Sequence, residues 1–139
     1  MPKLFLIIFL VFPSFGFSQD AIPQPARDLK SVMKEIGPIF RVISQTVADA
    51  SKNPETIQNL KDLESLVYEA LSLRPPMIAS MPESKQRKAE LRYLHLVLEL
   101  QLAIVDAQTA LLNSDQNTAQ LAVKKMSTLR ITGHGEFSE

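Results

Sequence analysis

Six apolar residues, Leu29, Met33, Ile36, Phe40, Ile43 and Val47, follow one another at steps of four, three, four, three and four. On an α-helix that spacing keeps all of them on one narrow seam, and such a seam is stable only when other helices cover it. The chain is thereby directed to an all-α fold, and the spacing predicts a first helix over about Arg27 to Ala50. Gly37-Pro38 interrupts the seam. A proline inside a helix removes one backbone donor and crowds the preceding turn, so a bend near residues 34–36 is expected. No stretch alternates like a half-buried strand, and no internal repeat competes with the helical period.

The remaining helices follow from their punctuation. Asn53-Pro54-Glu55 has the chemistry of a helix start: a capping side chain, a proline at the first helical position and a carboxylate at the positive end. The second helix runs to about Leu73, burying Ile57, Leu60, Leu63, Val67 and Ala70, and Arg74-Pro75-Pro76 ends it. A loop carrying Met77 and Met81 leads to Pro82. Ser84 is the expected cap of the third helix, Arg87 to Leu112, with Leu91, Leu94, Leu98, Leu102, Val105 and Leu112 read as its buried stripe. Asn113-Ser114-Asp115 makes a tight turn into a fourth helix carrying Ala119, Ala122, Met126 and Leu129. With 139 residues, 45% of them hydrophobic and only 4 of them glycine, there is material for one well-packed domain. Four helices joined by short turns and one longer middle loop pack most simply as an up-down-up-down antiparallel four-helix bundle.

Residues 1–18 are set apart. Lys3 followed by the apolar run Leu4 to Phe12, then Pro13, Gly16 and Ser18, reads as a secretory signal cleaved after Ser18. The domain proper is then 19–139, exported to the periplasm. The apolar run is shorter than the about 20 residues a membrane span needs, so no stable membrane insertion is expected after cleavage. Retention as an uncleaved anchor is the alternative. Cysteine is absent, which excludes disulfides, cysteine metal sites and lipoprotein attachment. Fifteen basic and fifteen acidic residues balance to zero net charge, and no charged run marks a nucleic-acid surface.

In an up-down bundle the early part of the first helix lies beside the late part of the fourth. Met33 and His134 then share one end. A thioether and an imidazole offered from facing helices suit axial ligation of haem iron, the methionine sulfur favouring Fe(II) and raising the reduction potential. Val32, Ile36, Leu129 and Ile131 are the expected apolar walls. Taken singly, Met33 is ordinary core filler and His134 an imidazole favoured near a helix C-terminus. Arg130, one turn before His134, is a solvated cation by default, with a haem propionate within its reach. His95 is a boundary residue beside the leucine stripe. His95 or His134 with Glu99 or Glu136 is a weaker, unspecific metal pair. No nucleophile or paired carboxylate suggests an enzyme. Gly133 and Gly135 make the last turn poor helix on its own, so iron ligation is expected to be its main support.

The chain resembles the soluble four-helix-bundle cytochromes, specifically the cytochrome b562 family, and more distantly the class II c-type cytochromes. The likeness runs over almost the whole of 19–139. It rests on Asp28-Leu29-x-x-x-Met33, Pro75-Pro76, Leu91-Arg92, Asp106-Ala107 and Arg130-x-x-x-His134. Met33-Lys34-Glu35-Ile36-Gly37-Pro38-Ile39-Phe40 is similar to the opening helix of the c-type class. The resemblance implies Met33 and His134 as axial ligands, Arg130 beside the macrocycle edge, and single-electron exchange with redox partner proteins. Arg130 and Gly133 stand where c-type attachment needs cysteines, so the implied cofactor is non-covalent haem b. A haem-free bundle serving as a binding or stress-related module is the alternative.

Overall fold

The computed structural model describes residues 27–137. The signal segment and its cleavage point lie outside the described residues. Within them the chain is all-α, with five helices rather than four: α1 (Leu29–Thr46), α2 (Asn53–Ala70), α3 (Pro76–Ser80), α4 (Glu83–Leu112) and α5 (Gln116–Phe137). A single 3-10 turn, Ala50–Lys52, joins α1 to α2. The short α3 occupies the segment expected to be loop, because Pro76 at its first position is pre-set for helix and has no amide to leave unpaired.

Local chemistry sets the boundaries. Asp28 caps α1, its Oδ1 accepting the Ser31 amide at 2.8 Å. Hydrogen bonding from the Ser31 side chain, and then from its amide, holds the Asp28 carboxyl below the usual carboxylate range. α1 continues unbroken through Pro38. Asn53 is the first residue of α2 rather than its cap, and its side chain is engaged elsewhere, with Gln116. Ser84 does not cap α4 either: the helix already starts at Glu83, directly after Pro82. Between α4 and α5, Ser114 takes a left-handed φ of 58°. Asp115 then caps α5, accepting the Thr118 amide at 3.0 Å and its hydroxyl at 2.6 Å.

Backbone contact is extensive between α1 and α2, α2 and α4, and α4 and α5, and sparse between α1 and α5. The start of α1 meets the end of α2 through Arg27 and Glu69, 3.0 Å apart. Gln108 of α4 donates to Glu64 of α2 at 2.7 Å. α1 and α5 meet through side chains: the Arg130 guanidinium lies 5.0 Å over the Phe40 ring, and Gln116 Nε2 donates to the Val47 carbonyl at 2.9 Å.

Of the expected seam, Ile36, Phe40, Ile43 and Val47 are buried, with Val32 beside them, while Leu29 and Met33 are half-buried and pack against this core. On α4 only Leu94 of the expected stripe packs against the core, and the rest of the expectation is overturned. Its buried face is Tyr93, Leu96, Val97, Ala103, Ile104, Ala107, Ala110 and Leu111, whereas Leu91, Leu98, Leu102, Val105 and Leu112 are exposed. Small alanines let neighbouring helices approach closely, which the longer leucines on the other face would prevent. The core is drawn to the tighter surface.

Candidate functional site

One end of the molecule holds an apolar cavity of about 370 Å³, within the range of small-molecule sites. Its first wall is α1. The Asp28 cap fixes the opening turn, and Leu29, Met33, Ile36 and Phe40 then recur at helical spacing along the cavity. α5 supplies the opposite wall with Met126, Leu129, Arg130, Gly133, His134 and Phe137, again one helical face. From α4 come Tyr93, Leu96, Val97 and Leu100, while Leu63 of α2 and Pro76 of α3 complete the lining.

The three residues expected at the site are therefore brought together. Met33 is half-buried and packs against the core; His134 lines the same cavity while remaining exposed. Arg130 is half-buried, stacked on Phe40, and its Nε is buried without a hydrogen-bond partner. A buried unpaired donor of this kind is costly unless something accepts from it. Lys30 adds a second cation, and among the described residues no carboxylate lines the cavity. The electrostatics thus favour an amphipathic ligand with an acidic group.

Two of the expected walls are misplaced. Val32 is fully buried in the core away from the cavity lining, and Ile131 is 66% exposed. Ile36 and Leu129 do line it. Phe40, Tyr93 and Phe137 are the aromatic residues sequence reasoning did not assign as walls. For Phe40 the signal was there, since it sits two steps along the same seam from Met33.

The end of α5 is better held than its glycines suggest. The helix runs through Gly133 and Gly135 to Phe137. Arg92 grips Glu136 with two bonds, at 2.9 and 2.8 Å, and this pairing pulls the Glu136 carboxyl below its usual range. The Phe137 ring meets Tyr93 edge-on, centroids 5.6 Å apart. Tyr93 donates its hydroxyl to the Ala70 carbonyl at 2.8 Å, and burial pushes its pKa up to about 12. These contacts come from the chain itself, so iron ligation is not needed to explain the last turn.

The weaker metal pairing gains little. His95 Nε2 lies 3.6 Å from Glu99 on the exposed side of α4, and Glu136 is committed to Arg92. No group of three or more metal-ligating side chains occurs among the described residues. Comparison with protein-family profiles, curated proteins and solved structures finds no match to this chain.

Proposed function

We propose that the chain is a periplasmic haem protein, an up-down-up-down four-helix bundle with α3 inserted in its middle connection, which carries single electrons. The observation that carries the reading is the convergence of Met33, Arg130 and His134 on one apolar cavity whose described lining holds no carboxylate. The antiparallel contacts between Arg27 and Glu69, Gln108 and Glu64, and Arg92 and Glu136 support the bundle. The residues present suit haem b. A thioether on α1 and an imidazole on α5 stand on the two walls, and Arg130 offers a cation with an orphaned Nε to a propionate. Bound haem supplies the one-electron Fe(III)/Fe(II) couple. The apolar residues of α1, α4 and α5 keep water from it, the Met33 sulfur favours the ferrous state, and Lys30 and Arg130 neutralise carboxylates at the rim.

Titrating haem into the purified protein tests this. A low-spin spectrum that saturates at one haem per chain is the expected result. Met33→Ala should keep the haem but change the ferrous spectrum and lower the potential, while His134→Ala should abolish tight binding. Haem binding unaltered by both substitutions would sink the ligand assignment, and a protein that never takes up haem would leave the haem-free interaction module. Intact mass of the periplasmic protein tests export separately, with cleavage after Ser18 expected.

A further inference from the structure

Arginine is treated differently inside the cavity and around it. At the same end of the molecule Arg27, Arg74, Arg87 and Arg92 each face a carboxylate, at 2.6, 2.8, 3.6 and 2.8 Å. Among the described residues Arg130 has none. Its guanidinium lies over the Phe40 ring, and its Nε is buried with no acceptor. A guanidinium resting on an aromatic face leaves its in-plane fork of N–H groups unused, and that fork is the part of arginine that fits a carboxylate with two parallel bonds. Leaving a buried donor unpaired costs stability, so Arg130 is an anion site that the chain itself does not fill.

The walls say what the anion carries. Leu29 to Phe40 of α1 and Met126 to Phe137 of α5 line the cavity for about 16 Å parallel to the helix axes. Leu63 and Met126 are completely buried and close its inner side, while the exposed Lys30 and His134 mark the rim. A flexible unbranched hydrocarbon follows walls of this shape, and the adaptable Met33 side chain packs against it. The head is fixed by charge. Arg130 is the single cation on the inner side of the rim; a phosphate monoester brings nearly two negative charges there, and a carboxylate brings one.

We infer that the cavity binds a single-chain alkyl carboxylate, its head on the Arg130 guanidinium and its chain along α1 and α5. Because Nε is shut away from solvent, the guanidinium turns off the Phe40 ring to present its fork. The inference goes beyond the haem reading and stands on the cavity alone. Calorimetric titration of the purified protein with decanoate, without added haem, tests it. Saturation at one decanoate per chain is expected, with decanol and decyltrimethylammonium bound at least tenfold more weakly. In isotope-labelled protein the Arg130 Nε–H resonance, assigned by its absence from Arg130→Lys, should move downfield and exchange more slowly with water as decanoate is added. Arg130→Leu should weaken decanoate at least tenfold and leave decanol unchanged, which separates loss of the head contact from loss of the fold. Decanol bound as tightly as decanoate, an unmoved Nε–H signal, or decyl phosphate bound more tightly than decanoate overturns the inference. Haem uptake is read by its own spectrum, so the two readings fail separately.

Discussion

The two ends of the molecule are built from the same four long helices and have opposite character. At one end Ile43, Leu60, Ile104 and Ala119 are completely buried, and polar side chains tie the helices together across them. Thr56 Oγ1 lies 2.8 Å from Thr46 Oγ1, and Gln116 Nε2 reaches both the Val47 carbonyl and Asn53 Oδ1. At the other end the same helices separate around a cavity, and the polar groups of Arg130 and Lys30 meet no carboxylate in its lining. The difference is in how polar groups are satisfied rather than in helix quality. Paired polar groups tie the helices together at one end, while at the other the Arg130 Nε is left buried without a hydrogen-bond partner. The first end is the closed core of the molecule and the second holds its cavity.

The sharpest way to break this contrast is to cut the core at each end. Ile104→Ala, at the closed end, should cost about 2–5 kcal/mol, the range for deleting buried aliphatic groups. Leu100→Ala, one turn earlier on the cavity wall, should cost only roughly 1 kcal/mol, because a half-buried leucine beside existing space leaves little new void. Equal losses in denaturant titrations of the two variants would erase the distinction.

Next in size is the polar clasp. Gln116→Leu removes the donor to Val47 and the partner of Asn53, which should cost about 1–2 kcal/mol. On the proposed haem reading, haem affinity should not change, since Gln116 is at the far end from the cavity. A variant that lost haem in proportion to stability would show the two ends to be coupled.

A smaller effect, with the opposite sign, is expected at the open end. A Cβ built at Gly135 meets nothing within 4 Å, so Gly135→Ala should stabilise by about 0.5–1 kcal/mol. A lower thermal midpoint would mean that the last turn is not helical in solution.

The mildest perturbation is acid. Glu136 is held below its ordinary value of 4.5 by the hydrogen bonds and charge of Arg92. Its contribution is complete above 4.5 and is lost as pH falls through the lower native value. Amide exchange at residues 133–137 should accelerate in that acid window before the Ile43 and Leu60 amides respond. Glu136→Gln should show the faster exchange already at neutral pH.

Much of this was legible in the sequence, and the failures have one cause. α1 has a single apolar face, so periodicity placed its buried residues; Met33, Arg130 and His134 were expected together from helix order and line one cavity. α4 has two apolar faces. Its alanine-rich face and its leucine-rich face both repeat at helical spacing, and hydrophobicity alone ranks the leucines first. What decides is close approach of backbones, which favours Ala103, Ala107 and Ala110 and depends on partners the local pattern does not contain. α3 was missed because five residues are too few for a period. The grip of Arg92 on Glu136 joins residues 44 apart, beyond any local pattern.

The cavity walls α1 and α5 are the first and last long helices of the chain, and this has a consequence for the order of assembly. Every extensive helix contact joins elements consecutive along the chain, apart from the short α3, and can form as a succession of local hairpins. The meeting of Phe40 with Arg130 closes a loop of some ninety residues, an entropically demanding closure compared with those hairpins. The ligand site should therefore be the last part to become native, appearing in pulsed amide exchange after α4 and α5 have docked.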